Sequence, residues 1–202
     1  MRIGPRYKIA RRLGADLFEK TQSPKYVLRA ARRGRDKRRP RSRSDFAAQL
    51  REKQRARLLY GLSERQFARS VQSAIERKSR RDDEALFQAL ETRLDNALYR
   101  LGIAPSRQAA RQFAAHGHFT VNNVRITIPS YKVKAGDVIR LRKGSAGKTP
   151  FANLADNLRD RTPPAWLRFD LVKGEGTVLS APRLKREELP FNIGAILEFY
   201  RR

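Results

Sequence analysis

Arg107 and Arg111 stand four residues apart and follow directly on Pro105-Ser106. Residues at that spacing share one face of a helix. Proline and serine mark the helix start, where free backbone N–H groups and the positive dipole end favour an anion. The guanidinium fork matches phosphate oxygens two at a time, so the arrangement is suited to gripping a phosphate backbone. Arg93 and Arg100 on the preceding segment, with Arg125 and Lys132 beyond it, extend the group into a stripe. A second run of cations, Arg51, Lys53, Arg55, Arg57, Arg65 and Arg69, recurs along an earlier helical stretch. A third, Arg11, Arg12, Arg32, Arg33, Arg35, Arg38 and Arg39, crowds the N-terminal segment. Over 202 residues, 46 Lys and Arg oppose 20 Asp and Glu, a formal charge of +26. A compact chain with that excess repels itself unless a polyanion answers it, and nucleic acid is the partner expected.

Other chemistries fare poorly. The chain has no cysteine, which removes disulfides, thiol catalysis and Cys-ligated zinc. His116 and His118 flank Gly117, but two histidines without a nearby carboxylate are too few for a closed zinc site, so neither metal nor cofactor is expected. Arg93-Leu94-Asp95 is similar to the Arg-Leu-Asp core of the pseudouridine synthase loop, whose aspartate attacks a base. Here the tripeptide lies in a leucine-periodic helix and lacks the following Thr-Ser-Gly turn, so Asp95 is read as a hydrogen-bond or ion-pair partner. Gly144–Lys148 lacks Walker spacing and reads as a basic loop. Glu187-Glu188 reads as a solvated face. No nucleophile–base pair stands out, and the chain is not read as an enzyme. No apolar run is long enough to span a membrane, and the N-terminus lacks the apolar segment of a secretory signal.

The elements that would carry these cations follow from period and punctuation. Residues 1–43 are interrupted by Gly4, Pro5, Gly14, Pro24, Gly34 and Pro40, so they read as an irregular basic arm that orders on its partner, with one short helix around Leu13, Leu17 and Phe18. Ser44 can cap a helix bearing Phe46, Ala47, Leu50 and Leu58, with Gly61 at its end. Ser63 and Gln66 form a capping box before Phe67, Val71 and Ile75. Asp82, Asp83 and Glu84 open a third helix that runs through Leu86, Leu90, Leu94 and Leu98 to Leu101, with Arg93 and Arg100 left wet. After Pro105-Ser106 comes a helix with Ala109, Ala110, Phe113 and Ala114, stopped by Gly117. The period then changes to two, with a hairpin turn at Asn122-Asn123 and a strand over Val138–Leu141. Thr149-Pro150 would open a helix through Phe151, Leu154, Ala155 and Leu158. Strands near Trp166–Asp170 and Gly176–Leu179 follow, and Ile193 to Tyr200 reads as a last helix. The order predicts an α+β protein with two lobes, the second inserted into the first.

Glu91 to Gly102, Ser106-Arg107-Gln108-Ala109-Ala110-Arg111-Gln112 and His118 to Asn123 together resemble the small RNA-binding module named after small-subunit ribosomal protein S-four. Gln49 to Gln54, Tyr60-Gly61 and Glu64 to Phe67 resemble the helical domain of that ribosomal protein family. Arg11-Arg12 with Asp16-Leu17-Phe18, and Trp166-Leu167 with Ile196–Tyr200, are similar to its two ends. The resemblance covers most of the chain in order and departs from the family at two places. The arm lacks the four cysteines that bind zinc in many members, which points to the zinc-free branch, and Arg32 to Arg43 replaces a Pro-Gly-Gln-His-Gly-like stretch.

The resemblance implies a basic arm over 1–43, a helical domain over 44–90 with a return at 181–202, and an S-four-type RNA-binding domain (helix-turn-helix plus antiparallel β-sheet) over 91–180. It implies a structural protein of the small ribosomal subunit that binds 16S-type rRNA at a five-prime domain junction, nucleates assembly of the subunit body and contributes to translational accuracy. Neighbouring ribosomal proteins, and mRNA where it enters its channel, are the further partners implied. A cytoplasmic, bacterial ribosome is the expected setting, an organellar one the alternative. An RNA-modifying or RNA-repair factor is the runner-up reading, and a DNA-binding structural protein the third.

Overall fold

The computed structural model describes residues 3–14, 17, 18, 21, 23–33, 44–76, 81–152, 158, 162–170 and 173–201. The chain divides into two compact units, Met1–Asp83 with Lys185–Arg202, and Glu84–Leu184, so the second interrupts the first.

The first unit is helical. The N-terminal arm is not irregular: α1 (Arg6–Leu13) and α2 (Pro24–Arg33) form within it. Pro5, Gly14 and Pro24, which suggested interruption, are boundaries. Pro5 precedes α1, Gly14 ends it at φ 129°, and Pro24 opens α2, where a missing N–H costs nothing. Tyr7 and Tyr26 stack at 5.6 Å between ring centroids, and Ala10 and Leu17 are buried. The expected helix around Leu13, Leu17 and Phe18 is therefore replaced by a helix that ends at Leu13. Arg35, Arg38 and Arg39 lie outside the described residues.

Ser44 caps α3 (Asp45–Leu59), its hydroxyl accepting from Ala47 N–H at 3.3 Å. Ser63 and Gln66 close a reciprocal capping box on α4 (Glu64–Glu76), at 3.3 and 3.4 Å. The buried face of α3 departs from the apolar stripe expected: Phe46 is exposed, and Gln49 and Lys53 are buried. The reason lies across the chain. Glu198 accepts from Gln49 Nε2 at 3.0 Å, and the Lys53 ammonium sits 4.5 Å from the Phe199 ring centroid. Both belong to the C-terminal helix (Ile193–Arg201), which packs against α3. Phe67, Leu62, Val71 and Ile196 complete the interior of this unit. Each large apolar side chain there contributes roughly 1.5–3 kcal/mol by burial. Arg201–Asp82 at 2.6 Å and Arg186–Asp83 at 2.5 Å tie the returning segment to the start of the next helix, α5 (Asp82–Glu91).

The second unit is α+β. The third helix expected to run from Asp82 to Leu101 is broken into α5 and α6 (Leu94–Arg100). At the break, Arg93 is extended (φ −68°, ψ 138°) and pairs as an isolated antiparallel bridge with Lys132. Leu94 N–H donates to Tyr131 O and Val133 N–H to Thr92 O, both at 2.8 Å. The leucine stripe survives the break, since Leu86, Leu90, Leu94, Leu98 and Leu101 are all fully buried. After Gly102 (φ 84°), Ser106 caps α7 (Arg107–Ala115) by accepting from Ala109 N–H at 3.2 Å.

Five short strands then form one antiparallel sheet, ordered β2-β1-β3-β5-β4: β1 (Phe119–Val121), β2 (Val124–Arg125), β3 (Val138–Leu141), β4 (Leu167–Asp170) and β5 (Glu175–Val178). The hairpin turn is where the asparagines promised it. Asn122 and Asn123 sit at φ 50° and 67°, the left-handed pair that matches the twist of two joined strands. The Gly144–Lys148 stretch, expected as a loop, is partly helical: α8 spans Lys143–Ala146. The helix expected from Thr149 begins as a 3-10 turn over Thr149–Phe151, and most of its continuation lies outside the described residues. The C-terminal helix is α9. Gly176 in β5 is needed for packing: a Cβ there would fall 2.6 Å from Leu101 Cδ1.

Candidate nucleic-acid interface

Two buried carboxylates organise the cations of the second unit. Glu91, at the end of α5, is 1% exposed. Its Oε1 and Oε2 accept from Arg100 Nη2 at 2.7 Å and Nε at 2.9 Å, a bidentate fork. Oε2 also accepts from Asn96 Nδ2 at 2.9 Å. Asn96 in turn turns its Oδ1 to Arg107 Nε at 2.9 Å, and the Arg107 guanidinium lies 4.4 Å from the Tyr99 ring centroid. One acid thus fixes arginines from α6 and α7.

Asp95 does the same four residues along. It accepts from Arg93 Nε at 3.0 Å and Nη2 at 2.7 Å, and from Arg111 Nη1 at 3.5 Å. Arg93 corrects the expectation of a wet side chain. It is 6% exposed, because extension at the helix break turns it inward onto Asp95. Lys132, its bridge partner, is exposed. Arg100, Arg107 and Arg111 remain partly exposed while these contacts anchor them. Ser106 serves α7 as its cap. Asp95, with both oxygens engaged and 4% exposed, is not available as a nucleophile.

The first unit treats its cations differently. Lys53 is buried, its ammonium donating to Glu64 Oε1 at 2.7 Å. Arg57 donates to Gln54 Oε1 at 2.7 and 3.1 Å and lies 3.4 Å from Glu64 Oε2. Burial pushes Glu64 upward, but the Lys53 hydrogen bond and charge, the Tyr200 hydroxyl and the Arg57 charge outweigh it, and its pKa falls below the ordinary value. The same contacts reach Tyr200, where burial first and then the Glu64 charge push the phenol up. Arg51 and Arg55 are half-buried; Arg65 and Arg69 are exposed on α4, and Arg11, Arg12 and Arg32 on the arm helices. Arg11 donates from Nε to Tyr7 O at 3.2 Å. Among the described residues no cluster of three His, Asp or Glu gathers as a metal would need, and no helix is long and apolar enough to cross a membrane.

Sequence reasoning found the arginines and missed what holds them. Glu91, Asn96 and Tyr99 carried a signal: polar side chains interrupting an otherwise leucine- and alanine-rich helical run are costly to bury unless they are paired.

The chain matches the family model described as "Ribosomal protein S4/S9 N-terminal domain" over residues 1–91, and that of the "S4 domain" over residues 92–139. It is 40% identical to the small ribosomal subunit protein uS4 of Persephonella marina over 98% of this chain and 97% of that one. It is 43% identical to the uS4 of Chloroflexus aurantiacus over 99% and 98% of the two chains. To the uS4 of Aquifex aeolicus it is 38% identical over 98% and 97%.

Proposed function

Because this chain belongs to the uS4 family of small-subunit ribosomal proteins, we propose that it binds small-subunit rRNA through cations whose geometry is set before the RNA arrives. It is a structural ribosomal protein with an S4 RNA-binding domain, not an enzyme. The observation that carries the mechanism is the pair of buried acids: Glu91 holds Arg100 directly and Arg107 through Asn96, and Asp95 holds Arg111, while all three arginines stay partly exposed. A pre-oriented guanidinium loses less side-chain entropy on meeting a phosphate than a free one does.

A-form RNA hides its major-groove base edges, so phosphate and 2′-OH contacts dominate and shape is what is read. In this reading Arg100, Arg107, Arg111 and Lys132 form the contact set of the second unit. Arg51, Arg55, Arg57, Arg65 and Arg69 form that of the first, with Arg11, Arg12, Arg32, Arg33, Arg35, Arg38 and Arg39 from the arm. Lys53 and Arg93 support these sets from within, and their burial is what supports that division. The finer assignment is a five-prime domain junction of 16S-type rRNA, with neighbouring ribosomal proteins and incoming mRNA as further contacts. On it the protein nucleates the subunit body and bears on translational accuracy in a cytoplasmic, bacterial-type ribosome. The resemblance of both ends and of the central module to the family supports this.

The test is binding of a small-subunit rRNA transcript across a salt series. Log affinity should fall by roughly 0.7–0.9 per unit log salt for each phosphate neutralised. Arg107→Gln/Arg111→Gln should take about two such contacts from the slope without changing the helical circular dichroism. A flat salt response, or equal affinity for duplex DNA, rejects the reading. Stoichiometric sedimentation with small subunits separates it from a modifying factor, which would be sub-stoichiometric.

A further inference from the structure

A second group of cations gathers at the other end of α7, built on different principles. α7 ends at His116, and Gly117 follows at φ 67°. The Arg125 side chain lies across Gly117: a Cβ there would meet its Nε and stand 2.8 Å from its Nη2. Nη2 donates to His116 O at 3.3 Å, so the backbone at the helix C-terminus positions this guanidinium.

The sheet register adds a neighbour. Thr120 pairs with both Arg125 and Arg140, which puts the three in one cross-strand row. Arg142 stands two residues beyond Arg140, on the same side by the pleat, and its N–H donates to His118 O at 2.9 Å. Lys148 follows α8, whose buried Ser145 hydroxyl lies 3.0 Å from His118 Nδ1.

The members of this group share a lack that the arginines at the N-terminal end of α7 do not. Among the described residues no carboxylate pairs with His116, Arg125, Arg142 or Lys148, and the Arg142 Nε has no hydrogen-bond partner. Arg140, in the same row, is answered by Glu175 at 3.1 Å. His116, Arg125 and Lys148 are exposed and Arg142 half-buried. The crowding is felt by His118. Burial first, then the charges of Lys148, His116, Arg142 and Arg125, hold its imidazole below the ordinary value.

We propose that Arg125, Arg142 and Lys148, with His116, form a second RNA-backbone contact at the C-terminal end of α7, separate from the acid-anchored arginines at its N-terminal end. Along α7, Arg107 stands about 13 Å from His116 and Arg111 about 7 Å from it, so one module touches the RNA backbone at two places. RNA is favoured over an acidic protein surface because Arg125 is held by the backbone with the rest of its fork open, a geometry suited to phosphate oxygens. This inference rests on the rRNA-binding reading above.

The experiment measures affinity for the small-subunit rRNA transcript against salt for three chains. They are the full-length protein, Arg142→Gln/Lys148→Gln, and Arg125→Gln/Arg142→Gln/Lys148→Gln. The double variant leaves the Arg125 cap on α7 untouched and decides the matter if the triple fails to fold. The salt slope should drop by roughly 0.7–0.9 per contact removed, with at least a tenfold loss of affinity in the triple variant and a slope lower in the double. Variants that fold and keep the parent slope overturn this second contact and leave the primary reading standing. An equal loss of binding to polyglutamate assigns the surface to an acidic protein and overturns the RNA assignment. If the unaltered protein prefers the transcript no more than polyglutamate, both readings fall together.

Discussion

The two units use the same pairing of acid and base turned inside out. In the first, the cation is inside: the Lys53 side chain is 9% exposed and its partner Glu64 46%. In the second, the acid is inside: Glu91 is 1% exposed and Arg100 35%. The first arrangement spends a positive charge on holding α3 to α4 and removes it from any RNA-facing set. The second spends a negative charge on orienting positive ones. What decides whether a basic residue stays exposed is therefore which member of its pair is buried, a property that net charge does not report.

The largest effect expected concerns the inner acid with two arginines. Asp95→Ala leaves Arg93 buried without its carboxylate, and breaking such a pair costs about 3–5 kcal/mol. Denaturant unfolding measures it; a loss below about 1 kcal/mol would mean that Arg93 finds water, and the inside-out contrast would fail. Next come the two acids compared directly. Glu91→Gln should release Arg100 and reduce rRNA affinity about tenfold, worth about 1.4 kcal/mol. Glu64→Gln should leave rRNA affinity within about twofold, because Lys53, the buried cation it frees, is outside the proposed contact set and Arg57 keeps its hydrogen bonds to Gln54. Equal losses in the two variants would erase the distinction.

The smallest effect is on pH. The folded Glu64 has its pKa below the unfolded value, so its contribution is present above about pH 4.5 and is lost as pH falls through the lower folded value. Thermal melts from pH 6 to pH 3 should show a steeper acid loss in the parent chain than in Glu64→Gln. Superimposable acid limbs would remove Glu64 as a contributor.

Much of the scaffold was legible because its signals are local. Ser44, Ser63 with Gln66, and Ser106 each cap the helix they precede, since a cap needs only residues three apart. The Asn122-Asn123 turn likewise depends on two backbone angles. The misreadings are non-local. The break at Thr92-Arg93 exists because Tyr131 and Val133, some forty positions on, offer backbone partners. The buried polar face of α3 exists because α9, at the far end of the chain, brings Glu198 and Phe199 to Gln49 and Lys53. The arm was misread for a simpler reason: Pro5, Gly14 and Pro24 were taken as breakers when they stand at helix ends.

The amino-acid order by itself determined that this protein meets a polyanion, that helices precede a small sheet, and which arginines share a helix face. Charge, period and capping are additive or short-range, so they can be summed along a chain. Only the tertiary structure decided which of those cations are open. Burial, and the carboxylate that compensates it, are set by segments remote in sequence that meet in the folded state.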